Sequence, residues 1–391
     1  MLQMLFGSQP NNTRATDAAE TLPRLQDKET ILTTRIGAVA LIVAGSVGVA
    51  ACGSSGSSGS GSGSKGGGGT INGAGSTFAA PIYQQFGSDL SSQGLTVNYN
   101  AVGSGAGVTQ LQSGTVDFAG SDPAMKPAEI AKAKGPVVHF PVAFGSITIS
   151  YNLPGVKSGL KLDGKTIADM FLGKVKKWSD PEIADLNPGM KLPSTAITPV
   201  YRSDSSGTTS EFTAFLADYS PTWKSQVGSG KAVKFPTGTG GKGNSGVAAA
   251  VKQTTGGVGY VEQAYALQNG FTYASVKNAA GTYIAPTLTS TSDAGNGIKV
   301  PPDLRFSAIN AKDPGAYPIA GQTFLIVYRD MCKAGLSQSV ASGIKKLVTY
   351  ALGPSGQATV KKLFYAPLPA PIDKAATAKL ATLTCNGAPL S

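Results

Sequence analysis

Residues 201–209 read Tyr-Arg-Ser-Asp-Ser-Ser-Gly-Thr-Thr and run directly into the helical pattern Glu-Phe-Thr-Ala-Phe-Leu at 211–216. A Ser/Gly/Thr-rich turn at a helix start presents unpaired backbone N–H groups and the positive end of the helix dipole, and both favour an anion. The alternative is an ordinary N-cap beside a solvated ion pair between Arg202 and Asp204. The choice depends on whether other parts of the chain carry the same chemistry.

Three further turns combine glycines with hydroxyl side chains in a similar way. Residues 73–78 read Gly-Ala-Gly-Ser-Thr-Phe, residues 102–108 read Val-Gly-Ser-Gly-Ala-Gly-Val, and residues 116–123 read Val-Asp-Phe-Ala-Gly-Ser-Asp-Pro. The first lacks the ending of a nucleotide P-loop and the spacing of a dinucleotide fingerprint. Each alone is more often a plain strand-to-helix turn. Together with residues 201–209 they predict one shared anion site beyond the carboxyl ends of the strands of an α/β sheet.

The region after residue 70 alternates short β-rich segments with helical ones, which is the pattern of an α/β protein. We see no internal repeat of fixed period. The predicted strands are 96–99, 137–140, 146–150 and 323–328, and the predicted helices are 78–90, 108–112, 128–133, 208–218, 246–252, 338–352 and 356–363.

Composition argues against several classes of protein. The 391 residues carry a formal net charge of +11, but the basic residues are scattered and are not interleaved with aromatic ones, so no nucleic-acid partner is predicted. The single histidine, His139, lies in an apolar segment, and a Ser-His-Asp triad would depend on it entirely. No His/Asp/Glu/Cys cluster has metal-ligand spacing. We therefore predict no catalytic residue, no metal and no cofactor. A hydrolase with Ser104 or Ser206 as nucleophile is the enzymatic alternative.

The N-terminal region resembles an export signal. Residues 36–51 are uncharged, and 16 residues are short for a membrane-spanning helix. The segment ends in Val-Ala-Ala-Cys at 49–52, which looks like a bacterial lipobox. Residues 1–51 are then a signal peptide, Cys52 is lipidated, and the Gly/Ser-rich segment 52–69 tethers the folded part to the outer face of a membrane. A retained anchor helix is the alternative.

The two remaining cysteines, Cys332 and Cys385, are predicted to form one disulfide, because exported proteins occupy oxidising surroundings. Two unpaired thiols are the alternative.

The strings at 73–78, 102–107, 116–122 and 202–208 resemble, in order and spacing, the phosphate-binding protein of bacterial phosphate ABC transporters. So do the segments at 162–167, 173–178, 240–244 and 257–262, and the likeness extends from about residue 70 to about residue 365. It implies a type II periplasmic-binding-protein fold, in which two α/β lobes close on the ligand about a hinge. The implied first lobe is 70–144 plus 316–391, and the implied second lobe is 145–315.

The resemblance also implies the ligand residues. Arg202 supplies a charged donor fork and Asp204 orients it, while hydroxyls and backbone N–H groups supply further donors. Asp122 accepts the proton that phosphate retains and sulfate lacks, which selects phosphate. One departure is that Gly105 and Ala106 stand where many relatives have a second hydroxyl. The implied phosphate-binding residues are Thr77, Phe78, Ser104, Asp122, Arg202, Asp204, Ser206, Gly207 and Thr208.

We therefore expect a monomeric, lipid-anchored receptor that captures inorganic phosphate and delivers it to the permease subunits and ATPase of an ABC importer. A receptor for another tetrahedral oxyanion such as sulfate is the nearest alternative. A phosphoester hydrolase and a purely structural or adhesive lipoprotein are the alternatives from other classes.

Overall fold

The computed structural model describes residues 69–390, which form a mixed α/β fold. The predicted signal peptide, Cys52 and nearly all of the predicted tether lie outside the described residues. Within residues 69–390 no helix is both long and apolar enough to cross a membrane. The strands are β1 (Gly69–Gly75), β2 (Leu95–Ala101), β3 (Phe118–Ser121), β4 (Val137–Tyr151), β5 (Lys161–Leu162), β6 (Thr198–Arg202), β7 (Thr239–Gly241), β8 (Gly257–Glu262), β9 (Thr272–Tyr273), β10 (Ser275–Lys277), β11 (Tyr283–Ile284), β12 (Ala320–Tyr328), β13 (Thr384–Cys385) and β14 (Ala388–Pro389). The helices are α1 (Ala80–Ser91), α2 (Ser104–Ser113), α3 (Pro127–Ile130), α4 (Gly164–Phe171), α5 (Pro181–Ala184), α6 (Gly207–Tyr219), α7 (Pro221–Gln226), α8 (Gly243–Gln253), α9 (Gln263–Gln268), α10 (Leu288–Asp293), α11 (Gln338–Leu352), α12 (Pro354–Lys362) and α13 (Ala370–Lys379).

Strand β4 belongs to both halves of the main sheet, whose order is β2-β1-β3-β12-β4-β8-β6-β7 with β9 also pairing to β4. Residues 137–146 of β4 pair with β12, and residues 147–151 pair with β8. We call the part from β2 to residues 137–146 the first lobe, and the part from residues 147–151 to β7 the second lobe. The chain leaves the first lobe between residues 146 and 147 and returns at the start of β12. There the Ile147 N–H donates to the Ile319 carbonyl at 2.8 Å.

The expectation of two separate strands at 137–140 and 146–150 was wrong, because both belong to the 15-residue β4. Pro141 lies between the two predicted strands and lacks an N–H for the ladder, so a proline here would ordinarily end a central strand. The structure accommodates this proline at a bulge: Thr323 of β12 faces Ala143 while Phe324 faces Pro141, which leaves Val142 without a partner strand residue. The Val142 carbonyl instead accepts a hydrogen bond of 3.0 Å from Gln357 Nε2. The strand therefore continues through the proline.

Both lobes direct the carboxyl ends of parallel strands to one edge. β1 is parallel to β2 and β3, and β6 is parallel to β7 and β8. The four Gly/Ser turns follow β1, β2, β3 and β6. Helix α2 begins at Ser104 and α8 at Gly243, three or four residues before their predicted starts, since glycines hide the helical pattern there.

The aromatic core of the second lobe supports the end of β6. Tyr260 stacks on Phe212 with ring centroids 4.1 Å apart, and both side chains are fully buried. The Tyr260 hydroxyl accepts a 3.0 Å hydrogen bond from the backbone N–H of Arg202. The core thus fixes the backbone at the residue on which the predicted anion site depends.

Cys332 and Cys385 are joined by a disulfide across a sequence separation of 53 residues. We expect reduction to lower the free energy of unfolding by about 4 kcal/mol, because the bond removes loop-closure entropy from the unfolded chain. Urea unfolding with and without reductant measures the difference. A Cys332→Ala/Cys385→Ala variant should match the reduced protein and be insensitive to reductant. Equal unfolding midpoints for oxidised and reduced protein would contradict the expectation.

Candidate functional site

The turns of the two lobes meet face to face, and the nine predicted site residues lie on these turns. The first lobe contributes Thr77, Phe78, Ser104 and Asp122, and the second contributes Arg202, Asp204, Ser206, Gly207 and Thr208. Eight of these residues are buried, and Asp204 is mostly so. A set of polar groups this deeply placed needs internal partners or a ligand.

Asp122 is held from one side by hydroxyl groups. Its Oδ1 accepts hydrogen bonds from Ser76 Oγ at 2.6 Å and Thr323 Oγ1 at 2.9 Å, and its Oδ2 accepts from Ser104 Oγ at 3.3 Å. Burial raises the pKa of Asp122 to about 6, and the Ser76 and Thr323 hydrogen bonds and the Arg202 charge limit the rise. Near neutral pH this carboxylate is ionised, and Oδ2 retains capacity to accept one more hydrogen.

Gly207, the first residue of α6, lies directly opposite that oxygen. A Cβ atom at this position would lie 2.2 Å from Asp122 Oδ2 and 2.4 Å from Ser104 Oγ. The N-terminus of α6 therefore approaches Asp122 more closely than any side chain would allow. This brings the dipole end of a 13-residue helix to the first lobe.

We expect Gly207→Ala to keep the lobes from closing fully and to weaken anion binding at least about tenfold, equivalent to about 1.4 kcal/mol. The added methyl group meets Asp122 and Ser104 only when the lobes are together, so the fold of each lobe should be unaffected. Isothermal titration measures the affinity, and small-angle scattering with saturating ligand measures compaction. Gly135→Ala is the matched control, since a Cβ there has open space around it and the backbone is outside the left-handed region, so it tests only the cost of a Gly→Ala change. Unchanged affinity for Gly207→Ala would contradict the expectation.

The Arg202 guanidinium is oriented by Asp204. Arg202 Nε donates to Asp204 Oδ1 at 2.8 Å and Nη2 donates to Oδ2 at 2.6 Å, while Nη1 donates to Thr208 Oγ1 at 3.3 Å. The exposed fractions of the two side chains are 1% and 11%. Burial alone would raise the pKa of Asp204, but the hydrogen bonds and charge of Arg202 outweigh burial and hold that pKa below its usual value. The pair is ionised and leaves Nη hydrogens free to bind an oxyanion.

The start of α6 adds hydroxyl donors. Ser206 caps the helix: its Oγ accepts from the Thr209 N–H at 3.1 Å, so its own hydroxyl hydrogen remains to be donated. The prediction of an N-cap at this turn and the prediction of an anion site are therefore compatible, because one hydroxyl can accept and donate together.

The lobes are in contact around the site. The Tyr265 hydroxyl donates to the Thr77 carbonyl at 2.7 Å, and Lys231 Nζ pairs with Glu129 Oε1 at 2.6 Å. The Gly105 N–H donates to the Ser205 carbonyl at 3.0 Å, and a Cβ on Gly105 would lie 1.9 Å from Ser205 Oγ. This explains the departure at Gly105, since the second lobe packs where a side chain would be. The structure is thus a closed arrangement.

Four contributors were not predicted from sequence. Ser76 and Thr323 hold Asp122, and Asn244 contacts Thr77 and Thr208. Glu211 Oε1 accepts from Gln322 Nε2 at 3.1 Å across the lobes, and burial followed by the Asp122 charge raises the pKa of Glu211 well above its usual value. Ser76 and Asn244 lie in turns already singled out, so their position was a usable signal. Nothing in the sequence near Thr323 or Glu211 marks them.

His139 is buried in the core of the first lobe, and its ring forms no hydrogen bond with Ser104 or Ser206. Its Nε2 accepts a hydrogen bond of 3.1 Å from the Met125 N–H, and its ring packs edge-on against Phe324. Burial lowers the pKa of His139 to about 4, so it is neutral near pH 7. In the part of the chain that the structure describes, no group of three His, Cys, Asp or Glu residues could hold a metal ion.

Several known proteins are similar to this chain in sequence. Residues 60–355 match the family model described as PBP superfamily domain. The phosphate-binding protein PstS of Xylella fastidiosa (strain Temecula1) is 38% identical over 303 residues, covering 76% of this chain and 81% of that protein. The PstS of Haemophilus influenzae is 39% identical over 309 residues, covering 78% and 90%. PstS3 of Mycobacterium bovis (strain BCG) is 34% identical over 358 residues, covering 85% and 94%.

Solved structures share the fold at lower identity. The periplasmic phosphate-binding protein PfluDING, solved with phosphate bound, is 24% identical with a TM-score of 0.65, covering 82% of this chain and 96% of that one. A phosphate ABC transporter substrate-binding protein of Clostridium perfringens, described as putative and solved with bound phosphate, is 15% identical with a TM-score of 0.56, covering 77% and 100%. These likenesses support the two-lobed architecture.

Proposed function

The chain belongs to the PstS family of phosphate-binding proteins, and we propose that it captures inorganic phosphate between its lobes and delivers it to an ABC-type importer. One observation carries the choice of ligand: the buried Arg202 guanidinium and the N-terminus of α6 lie at the same site as the buried carboxylate of Asp122. The donors suit an oxyanion, and the carboxylate suits an oxyanion that still carries a proton.

The nine predicted site residues are the proposed phosphate ligands. Arg202 gives the charge, the hydroxyls of Thr77, Ser104, Ser206 and Thr208 and the N–H groups of Phe78 and Gly207 donate, and Asp122 accepts. Asp204 orients Arg202 and leaves the pair neutral overall, so the phosphate charge is met mainly by oriented dipoles. Phosphate bound to one lobe completes its hydrogen bonds only when the other arrives, and binding therefore favours closure.

The hinge of this closure is the crossing in β4, with lobes of 70–144 plus 316–391 and of 145–315. The change of pairing partner between residues 146 and 147 of β4, two residues beyond the proposed first crossing, supports a division close to this one. Fluorescent labels on the two lobes should approach each other when phosphate is added. An unchanged distance would argue against the hinge.

The delivery step places the protein outside the cytoplasmic membrane. We propose that it acts as a monomer tethered through a lipid on Cys52, and that its closed form docks on the permease subunits served by the ATPase. The signal-like segment and the cysteine after it support the anchor. Labelling cells with palmitate tests it, because label that persists on a Cys52→Ala variant would exclude this anchor.

Titration calorimetry of the folded protein with phosphate and with sulfate tests the function, alongside turnover of a chromogenic phosphate ester. We expect one phosphate per chain, weak or undetectable sulfate binding and no turnover. Sulfate binding equal to phosphate would overturn the ligand assignment. Turnover that is lost in Ser104→Ala or Ser206→Ala would overturn the receptor assignment in favour of a hydrolase.

A further inference from the structure

Asn244 lies at the point where the lobes meet and has no assigned role. It is the second residue of α8, follows the glycine-rich turn after β7, and is fully buried. A buried carboxamide must satisfy two donor hydrogens and an acceptor oxygen. The partners that satisfy them show what this side chain does.

The orientation of the carboxamide is fixed from behind. Asn244 Oδ1 accepts a 3.0 Å hydrogen bond from the backbone N–H of Glu262. A backbone N–H can only donate, so the carboxamide oxygen and not its nitrogen must face Glu262. The Nδ2 group therefore points the other way, towards the site. It donates to Thr77 Oγ1 at 2.9 Å and to Thr208 Oγ1 at 3.4 Å, one threonine from each lobe. Both amide hydrogens are thus used on protein hydroxyls.

Each of these hydroxyl oxygens also accepts a second hydrogen bond. Thr77 Oγ1 accepts from the Asn244 backbone N–H at 3.2 Å, and Thr208 Oγ1 accepts from Arg202 Nη1 at 3.3 Å. A hydroxyl oxygen has two lone pairs and one hydrogen, so both lone pairs are occupied at each threonine. Among residues 69–390 neither hydroxyl donates to a protein acceptor. Each retains one hydrogen, which can only be donated.

We propose that Asn244 is the positioning residue that makes the Thr77 and Thr208 hydroxyls obligatory donors to the bound anion. The inference rests on the proposed phosphate function. Without Asn244 a threonine hydroxyl rotates freely and can present a lone pair to the ligand, which is repulsive towards an oxyanion. Because Thr77 belongs to the first lobe and Asn244 to the second, the Thr77 hydroxyl becomes fixed only when the lobes close. Closure of the lobes and the orientation of the hydroxyl donors are therefore coupled through the side chain of Asn244.

A double-mutant cycle tests this role by calorimetry with inorganic phosphate. Asn244→Ala should weaken binding at least about tenfold in the wild-type background. In a Thr77→Val/Thr208→Val background, which lacks both hydroxyls, the same change should cost less than about twofold. A residue that only supports the fold would cost the same in both backgrounds, and that result would overturn the proposal. So would a wild-type affinity retained by Asn244→Ala.

Asn244→Asp is the second variant, because it keeps the size of the side chain and the acceptor for the Glu262 N–H. Its carboxylate accepts hydrogens from the threonines and turns them away from the ligand, so it should bind phosphate more weakly than Asn244→Ala. Asn98→Asp adds the same charge at an exposed position of β2 and controls for net charge. Asn244→Asp binding as well as wild type would contradict the inference. Failure of the wild-type protein to bind phosphate would instead contradict the proposed function.

Discussion

Arg202→Ala is expected to lower phosphate affinity by about a hundredfold or more, equivalent to about 3 kcal/mol. The guanidinium is almost fully buried, and it is the only formal positive charge among the nine proposed phosphate ligands. Its loss also leaves Asp204 as an uncompensated negative charge beside a second anion. Both effects act in the same direction, and calorimetry measures their sum.

Two variants separate binding from folding. Arg202→Ala/Asp204→Ala removes both charges and should fold normally while still binding weakly, whereas Arg202→Lys keeps the charge but loses the fork and should be intermediate. Arg305→Ala is the matched control, because Arg305 forms an ion pair of the same length with Asp303, Nη2 to Oδ2 being 2.6 Å, but the two side chains are 32% and 50% exposed. Phosphate affinity within twofold of wild type for Arg202→Ala would remove Arg202 from the site.

Asp122→Asn is expected to raise sulfate affinity and to reduce the preference for phosphate over sulfate by about a hundredfold or more. The carboxylate can only accept at Oδ2, while an amide in its place can donate to an oxyanion that carries no proton. The affinity for phosphate should fall less, because phosphate can both donate a hydrogen bond to an amide and accept one from it. Competition titrations of the two anions give the ratio directly.

The role of Asp122 also predicts that sulfate binding depends on pH. Burial raises the pKa of Asp122 to about 6, so the unliganded protein carries the ionised, sulfate-rejecting form above pH 6 and the protonated form below it. Sulfate binding to wild type should therefore increase as the pH falls from 7.5 to 5, while Asp122→Asn lacks this transition. Glu211→Gln is the control, since burial and the Asp122 charge raise the pKa of Glu211 well above its usual value, and the change tests whether this second buried carboxyl contributes to the transition. Sulfate rejection that persists at pH 5 would contradict this assignment.

The sequence was sufficient to predict the Gly/Ser turns of the site, but not the residues that hold the side chains of those turns in place. Gly/Ser turns between strands and helices are recognisable locally, and parallel strands bring their carboxyl ends to one edge, so Ser104 and Asp122 could be grouped from pattern alone. The pairing of lobes was inferred only through family resemblance. Thr323 holds Asp122 from 201 residues away, inside the mostly apolar strand β12. Asn244 contacts Thr77 across 167 residues and carries no charge to mark it. Contacts made by closure of one lobe on another have no local signal.

Strand β4 determines what kind of motion can accompany binding. Since one unbroken strand continues from one lobe into the other, beside the start of β12, sliding of the lobes past each other would break the ladder, whereas rotation would only bend it. Rotation about this crossing is therefore the motion that we expect, and surfaces far from β4 would travel along the longest arcs. A permease that reads the distance between such surfaces would sense whether phosphate is present without touching the anion.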